Sequence, residues 1–248
     1  MDARHLVLIP SFNTGPRLFD TVAEVRRFGW PVCVVIDGST DGTAKALTRI
    51  ADGDPDLLVC VLPRNGGKGA AVLHGLRLAQ ARGFTHVLTM DADGQHSAAH
   101  IASMIELSRI HPAAMILGLP VFDSSAPRIR IAGHRIANIV TWSVTPRSGI
   151  GDSLFGFRIY PVARLLRAFA DTRWMRRFDF DSEAVIRLSW LGVPAINLAT
   201  PVRYFRSSEG GVSHFRYWRD NLLLTFMYAR LFAALPVVLA RRIRSLRR

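Results

Sequence analysis

One short stretch, residues 87–96, places the strongest constraint on how this chain can fold. The apolar run Val87-Leu88-Thr89-Met90 is followed at once by Asp91-Ala92-Asp93-Gly94-Gln95-His96. A short apolar run that is bounded by a turn sequence is typical of a buried strand ending in a polar loop. Two carboxylates one residue apart at such a strand end can share a hard divalent cation. The same stretch also fits a solvated turn without a ligand. Other motifs in the chain are needed to distinguish between these two interpretations.

Apolar runs and helical patterns alternate over the first 118 residues. This order predicts an α/β fold with a mostly parallel sheet that is covered by helices on both faces. In such sheets, ligands bind beyond the carboxyl ends of the strands. Strands are predicted near 5–9, 32–36, 57–62, 87–90 and 114–118, and helices near 16–28, up to 50, up to 81 and near 98–110.

Three more polar clusters follow strands at positions equivalent to Asp91. Since the carboxyl ends of parallel strands lie at one edge of a sheet, we expect all four clusters to converge on one crevice. Glycine-rich backbone can approach phosphates closely, which favours a phosphorylated ligand. The three clusters are Pro10-Ser11-Phe12-Asn13, Asp37-Gly38-Ser39-Thr40-Asp41-Gly42-Thr43 and Arg64-Asn65-Gly66-Gly67-Lys68-Gly69.

The charge balance narrows the class of partner. The 248 residues carry 32 Lys and Arg against 19 Asp and Glu, for a net charge of +13. Such a balance predicts polyanionic partners such as nucleic acid, an anionic membrane or phosphorylated substrates. The positive charge increases after Pro127 and peaks in the tail 241–248, which disfavours one uniformly basic surface, and we predict no nucleic-acid partner. Cys33 and Cys60 lie in apolar runs and are predicted to be buried thiols of a reducing compartment.

The four strand-end clusters, in their order along the chain, resemble motifs of glycosyltransferase family 2, the inverting nucleotide-sugar transferases with a GT-A fold. The resemblance covers roughly residues 5–215, and the branch most like this chain is the polyprenyl-phosphate sugar synthases, similar to dolichyl-phosphate mannose synthase. Asp152-Ser153-Leu154-Phe155-Gly156-Phe157-Arg158 resembles that branch's Asp-x-x-Ser-Gly-Phe-Arg element, with Phe155 in place of serine. Thr14 replaces the glutamate that usually follows the asparagine of the first motif.

The resemblance implies Mg²⁺- or Mn²⁺-dependent transfer of a sugar from a nucleoside-diphosphate sugar to a lipid-linked or amphiphilic acceptor. It also implies which residues bind the donor and the metal, and that Asp37 forms a hydrogen bond with the nucleotide base. The donor-binding residues would be Pro10, Asn13, Asp37, Asp41, Lys68, Asp91 and Arg206, and the metal ligands Asp91, Asp93, Gln95 and His214. A solvated loop histidine is the alternative for His214.

The acceptor half is read from the basic second part of the chain. Residues that fall where the related branch binds its acceptor phosphate are Arg128, Arg130, His134 and Arg135. The alternative for them is an exposed basic helix. Inversion generally needs a base for an acceptor hydroxyl, unless the acceptor is already an anion. The candidate bases are Asp152, Asp181 and Glu183, of which Asp181 could instead cap a helix and Glu183 could lie in its first turn.

The C-terminal part is a separate problem. Residues 1–215 are predicted as one domain, with a nucleotide-sugar half (1–118) and an acceptor half (119–215), and residues 216–248 as an apolar helix with a basic tail. The 20 residues 221–240 could span a bilayer, but Arg230 near the middle argues against a lipid-facing span. We expect an amphipathic helix on the cytoplasmic face of the inner membrane, with arginines on anionic headgroups. A core helix or a homodimer contact is the alternative.

Two other functions fit parts of the sequence. A sugar-phosphate nucleotidylyltransferase is also an α/β nucleotide-binding enzyme, but its first loop has a Gly-x-Gly-x-Arg pattern where this chain has Pro10-Ser11-Phe12-Asn13. A non-catalytic basic protein that binds membrane or nucleic acid would explain the charge but not the strand-end motifs. An inactive transferase is the third possibility, because Thr14 and Phe155 depart from the family pattern.

Overall fold

The computed structural model describes residues 3–122, 126–202 and 217–246, which form seven strands and eight α-helices. The strands are β1 (His5–Ser11), β2 (Val32–Asp37), β3 (Leu57–Leu62), β4 (His86–Thr89), β5 (Met115–Val121), β6 (Arg158–Pro161) and β7 (Ala195–Pro201). The helices are α1 (Arg17–Arg27), α2 (Thr43–Ala51), α3 (Lys68–Ala81), α4 (Ile101–Ile110), α5 (Arg128–Val144), α6 (Val162–Ala170), α7 (Phe180–Trp190) and α8 (Tyr217–Leu246).

All seven strands form one sheet in the order β3-β2-β1-β4-β6-β5-β7. Only β6 is antiparallel to its neighbours β4 and β5, and each other pair is parallel, which confirms the predicted mostly parallel α/β sheet. The chain adds β2 and β3 on one side of β1 and β4 on the other. A crevice therefore opens between the carboxyl ends of β1 and β4, where such sheets bind ligands.

The reversed strand β6 brings a second part of the chain to this crevice. Arg158, its first residue, pairs with Thr89 at the carboxyl end of β4. The Thr89 hydroxyl also donates to the carbonyl oxygen of Gly156 at 2.8 Å. The loop before β6 is consequently fixed against the loop that follows β4, and residues 152–158 lie beside Asp91.

The core has two layers, one on each face of the sheet. Leu6 and Leu8 of β1 lie in the layer formed with α3, α6 and α7, whereas Val7 and Ile9 lie in the layer formed with α1 and α4. A strand that is covered on both faces has no polar side to present, which explains why β1 is a continuous apolar run.

Helix α8 extends beyond the predicted range 221–240 and continues through Pro236 without ending. Met227 and Leu231 are its buried apolar residues, and the Tyr228 hydroxyl lies 3.1 Å from that of Thr141 on α5. By length and composition alone, Trp218–Ala240 is apolar enough to cross a membrane, and only 11% of its most apolar window is buried.

Candidate active site

The first two strand-end loops are tied together by side chains predicted for donor binding. Asn13 has a positive φ of 45°, its amide N–H donates to Ser39 Oγ at 2.9 Å, and its side-chain oxygen accepts from the Thr40 N–H at 2.8 Å. Asp41 accepts from the Gly15 N–H at 2.9 Å and from the Thr43 N–H at the start of α2. These contacts form a rigid rim on the β1–β2 side of the crevice, with Pro10 just below it in β1.

Asp37, at the end of β2, holds the glycine-rich loop in place. Its two carboxylate oxygens accept from the N–H groups of Gly66 at 2.8 Å and Gly67 at 2.7 Å. Asp37 is buried, and Gly67 has a φ of 97° that only glycine adopts freely. The predicted contact between Asp37 and the nucleotide base stays a prediction, whereas the positioning of the loop is observed directly.

Lys68, the first residue of α3, lies between two carboxylates. Its Nζ is 2.7 Å from Asp91 Oδ1 and 2.8 Å from Asp181 Oδ2. Burial alone would lower the pKa of Lys68, but Asp181 and Asp91 outweigh it and raise the pKa above the ordinary value. A Cβ atom at Gly156 would lie 2.7 Å from Lys68 Nζ, so glycine at this position makes room for the ammonium group.

Asp181 is therefore part of the donor-side charge cluster and does not cap α7. The helix begins at Phe180, and Asp179 precedes it without a side-chain cap. Burial raises the pKa of Asp181 even though Lys68 acts against it, and its Oδ1 has no hydrogen-bond partner among the described residues. The helix-capping alternative for Asp181 is wrong, since its side chain points to Lys68.

The predicted metal ligands Asp91, Asp93 and Gln95 follow β4. Burial opposes ionisation of Asp91, but Lys68, His96 and Arg158 together outweigh it, and the pKa of Asp91 lies below its ordinary value. Burial and the neighbouring Asp91 raise the pKa of Asp93 to about 6. The Asp93 carboxylate also accepts from the Gln95 N–H at 3.0 Å. Two carboxylates that disfavour each other's charge fit a shared divalent cation.

The described residues hold only part of that ligand set. Among them, no group of three or more His, Cys, Asp or Glu side chains has a metal-binding arrangement. The nearby His96 is not free to serve, because its Nδ1 accepts from the Asp91 N–H at 3.1 Å, which leaves the proton of the neutral ring on Nε2. Phe155 packs edge-on against His96 at 4.7 Å, which gives this departure from the family pattern a structural role. His214 and Arg206 lie outside the described residues.

Asp152 and His134, predicted separately as base and acceptor ligand, form a direct pair. His134 Nδ1 on α5 is 2.7 Å from Asp152 Oδ2, to which the Asn138 side-chain amide also donates at 3.0 Å. The other oxygen, Oδ1, accepts from the N–H groups of Leu154 at 2.9 Å and Phe155 at 2.7 Å. Burial works against the charge, but His134 and these donors lower the pKa of Asp152 to about 2. Asp152 is thus a buried carboxylate that is ionised near neutral pH.

Glu183 is paired with two arginines, whereas a catalytic base would face the acceptor. It is fully buried, and its oxygens lie 2.7 Å from Arg187 Nε and 2.8 Å from Arg230 Nη2. Arg230 also stacks over the Trp174 ring, with 4.7 Å to the centroid. The arginine in the middle of α8 therefore points into the protein, and the arrangement favours a structural ion pair for Glu183.

Helix α5 divides the predicted acceptor residues between two surfaces. Arg130 acts electrostatically on Asp93 and lies one turn before His134, so these two face the donor side. Arg128 and Arg135 instead line a cavity of about 430 Å³ on the helix's outer side with Ile131, Ala132 and Ile136.

Arg158 belongs to the Asp152–Arg158 element of the sequence but was not predicted as a site residue. This arginine is fully buried at the start of β6, and its guanidinium donates to the carbonyl oxygens of Asp152, at 3.2 Å, and of Asp181. It also donates to the Tyr160 hydroxyl at 3.0 Å. Arg158 thereby links the loop that carries Asp152 to the helix that carries Asp181. The signal for this residue in the sequence was the Gly156-Phe157-Arg158 end of the element that resembles Asp-x-x-Ser-Gly-Phe-Arg.

The fold and the strand-end site define a nucleotide-binding α/β protein of the GT-A type. A solved structure with a similar fold is glucosyl-3-phosphoglycerate synthase from Mycobacterium tuberculosis in complex with Mn²⁺, UDP and glucosyl-3-phosphoglycerate, with a TM-score of 0.64 and 16% identity over 95% of this chain and 80% of that one. At this identity the likeness concerns the fold.

Residues 6–173 match the sequence model of glycosyl transferase family 2, and the chain belongs to this family. Undecaprenyl-phosphate mannosyltransferase of Micrococcus luteus is 29% identical over 209 residues, which cover 76% of this chain and 79% of that protein. A dolichyl-phosphate β-glucosyltransferase of Trichomonas vaginalis is 28% identical over 72% of this chain, which spans 58% of that protein's length. The family and the enzyme class predicted from the sequence are thereby confirmed.

Proposed function

We propose that the protein transfers a sugar, with inversion, from a nucleoside-diphosphate sugar to a polyprenyl phosphate at the cytoplasmic membrane surface. The observation that carries this proposal is the juxtaposition of two sites across residues 152–158. The donor side holds Asp91, Asp93 and Lys68, and the acceptor side holds Arg130 and His134, with the positive charge of Arg130 acting on Asp93. Two of the relatives are named for transfer to a polyprenyl phosphate.

The donor side has the groups that this chemistry requires. The loop held by Asp37 presents glycine backbone to a diphosphate, and Lys68 supplies a fixed positive charge beside Asp91. Asp91, Asp93 and Gln95 would hold a Mg²⁺ or Mn²⁺ ion, with His214 as a further candidate ligand. When bound, that ion neutralises the negative charge that develops on the leaving diphosphate.

The acceptor side carries part of the excess of arginine. In the proposed reaction, an oxygen of the acceptor phosphate forms a bond to the anomeric carbon while the bond from that carbon to the diphosphate breaks. Arg130 and His134 would hold the phosphate in line, and the guanidinium group of Arg130 would stabilise its negative charge. Asp181 is available to orient Lys68 and does not have to act as a base, because the acceptor is already anionic.

Exposed apolar side chains support a location at the membrane surface. Trp218 on α8 is 90% exposed and Leu222 is 72% exposed, and α5 exposes Ile136 and Ile139. Since Arg230 is bound to Glu183 inside the protein, we favour a helix that lies on the membrane over one that spans it. Residues 1–215 would then act as the transferase domain and 216–248 as its membrane contact.

A panel experiment tests the proposed function. Purified protein is mixed with UDP- and GDP-sugars, Mg²⁺ or Mn²⁺, and a short-chain polyprenyl phosphate, and release of the nucleoside diphosphate and formation of the lipid-linked sugar are measured together. Formation of both products supports the proposal. Pyrophosphate release from a nucleoside triphosphate and a sugar phosphate would instead indicate a nucleotidylyltransferase.

A further inference from the structure

We propose that Asp152 is a positioning residue that acts through His134, and that His134 takes the proton from an acceptor phosphate that arrives as a monoanion. The inference rests on the proposed function for the identity of the acceptor. It starts from the 2.7 Å contact between His134 Nδ1 and Asp152 Oδ2.

The contacts of Asp152 determine which ring nitrogen of His134 carries a proton. A carboxylate can only accept hydrogen bonds, and Asp152 accepts from the N–H groups of Leu154 and Phe155 and from the Asn138 amide as well as from His134. His134 Nδ1 must therefore be the protonated nitrogen. In the neutral ring the lone pair is then on Nε2, which has no hydrogen-bond partner among the described residues.

The surroundings of the ring favour a fixed orientation. Phe122 packs edge-on against the imidazole with 5.2 Å between the ring centroids. The side-chain amide of Asn138 donates to Asp152, and its oxygen accepts from the Ser153 N–H. Arg158 holds the Asp152 backbone from the other side. Among the described residues, the charged groups connected to His134 by these contacts or by helix position are Asp152 in the loop before β6, Arg130 one turn earlier on α5, and Arg158 behind Asp152.

This arrangement supplies a specific proton transfer. The second pKa of a phosphomonoester is about 6, so near neutral pH part of the acceptor carries one proton. In the proposed step that proton moves to His134 Nε2, the phosphate oxygen bonds to the anomeric carbon, and the bond to the nucleoside diphosphate breaks with its electron pair on the leaving oxygen. The imidazolium is stabilised by Asp152 and afterwards loses its Nε2 proton to water.

The two other carboxylates predicted as bases are less suited to this step. Asp181 Oδ2 is engaged by Lys68 on the donor side, and both oxygens of Glu183 are engaged by arginines. Asp152 itself is buried with both oxygens occupied, so it cannot reach an acceptor directly. His134 is partly exposed on α5 and can reach an acceptor, so Asp152 can act on the acceptor through this histidine.

Three variants and a spectroscopic measurement test the proposal in the full-length protein. Asp152→Asn would present an amide N–H to Nδ1 and favour the other tautomer, with the proton on Nε2. We expect Asp152→Asn and His134→Gln each to lower kcat at least 100-fold with less than a fivefold change in acceptor KM, and the double variant to lose no more than either single one. His111→Gln, an exposed histidine at the end of α4, is the matched control and should keep wild-type kcat.

The nitrogen chemical shifts and the split between kcat and acceptor KM separate this role from a structural one. The ¹⁵N shifts of the wild-type ring should show a proton on Nδ1. A loss confined to acceptor KM, unchanged kcat in His134→Gln, or a proton on Nε2 of the neutral wild-type ring would each overturn the proposal.

The measurements also separate this proposal from the proposed function. If no sugar reaches a polyprenyl phosphate, the proposed function fails, and the ¹⁵N shifts of the wild-type ring still decide whether Asp152 fixes the tautomer. If Asp152→Asn does not fold, His134→Gln and the wild-type ring shifts decide the matter.

Discussion

At the scale of single residues, the main feature of this protein is that buried charges are neutralised close to the crevice. Lys68 serves two carboxylates at once, and Arg158 serves two carbonyl groups and a tyrosine. Isolated buried charges cost several kcal/mol each, so these contacts keep the site assembled as well as charged. Substitutions here should affect stability and catalysis together.

Replacement of Lys68 by methionine is expected to abolish turnover and to destabilise the fold. The change leaves Asp91 and Asp181 without their shared cation, and loss of one partner from a buried ion pair typically costs about 3–5 kcal/mol. We expect a loss near the lower limit, because Asp91 is partly exposed. Urea unfolding measures the change, and Lys45→Met on the exposed side of α2 is the control. Equal stability of the two variants would contradict the role of Lys68.

Two buried histidines at the opposite end of the sheet predict a loss of stability in acid. His5 and His86 stack with 4.9 Å between their ring centroids, and burial together with His86 lowers the pKa of His5 from 6.5 to about 4. The unfolded chain therefore binds more protons than the folded one between these values, and the free energy of unfolding should fall as the pH drops from 6.5 towards 4. The slope is at most about 1.4 kcal/mol per pH unit for one histidine.

Urea unfolding at a series of pH values measures this slope. His5→Gln removes one of the groups and should make the dependence shallower, whereas His111→Gln, at an exposed position, should leave it unchanged. A stability that does not change between pH 6.5 and 4 would contradict the assignment of His5 as a buried neutral residue.

At the scale of helices and strands, α7 joins the donor site to the C-terminal helix. Asp181 in its first turn contacts Lys68, and Glu183, two residues later, contacts Arg230 of α8. The first turn of one short helix thus carries both a side chain of the crevice and the side chain that binds the mostly exposed apolar helix α8. We expect Glu183 to anchor α8 and to have no direct part in the chemistry.

A pair of variants tests this anchor. Glu183→Gln leaves Arg187 and Arg230 without a carboxylate, while Arg230→Met leaves Glu183 still paired with Arg187, so the first change should cost more, about 3 kcal/mol or above. Thermal and urea unfolding measure the two costs. Turnover per folded molecule should stay within tenfold of wild type in Glu183→Gln. A folded Glu183→Gln protein with no turnover would instead make Glu183 the base.

The sequence predicted the elements well but not the partners that side chains choose across the fold. The strand β2 was predicted as 32–36 and observed as Val32–Asp37. The two ranges agree closely because a continuous apolar run between turn sequences leaves few other positions for a strand. Glu183 lies 47 residues from Arg230, and no local pattern encodes that contact. His134 and Asp152 were likewise predicted as separate candidates, although they form one hydrogen-bonded pair over 18 residues.

At the scale of the whole molecule, the excess of positive charge and the exposed apolar side chains lie mainly in the C-terminal half. The net charge of +13 together with the exposed apolar side of α8 is typical of a protein that attaches to an anionic membrane. This arrangement would bring a lipid acceptor to the side of the crevice where Arg130 and His134 lie.

Flotation with lipid vesicles tests the membrane contact. The full-length protein should float with vesicles that contain anionic lipid and less so with neutral ones. The double change Trp218→Ser and Leu222→Ser removes two exposed apolar groups, each worth about 1.5–3 kcal/mol if fully buried, and should lower binding at least tenfold. Ile110→Ser, at an exposed position on α4, should bind like wild type. Equal binding of all three proteins would argue against α8 as the contact.

The most direct test of the central proposal is sugar transfer to a short-chain polyprenyl phosphate by the wild-type protein and by Asp93→Ala. With the matching nucleotide sugar and Mg²⁺ or Mn²⁺, the wild type should form the lipid-linked sugar and release one nucleoside diphosphate for each sugar transferred. Asp93→Ala should stay folded and form less than 1% as much product, because the charge on the leaving diphosphate is no longer neutralised. Full metal-dependent activity in Asp93→Ala, or wild-type protein that forms no lipid-linked sugar from any donor, would contradict the proposed reaction.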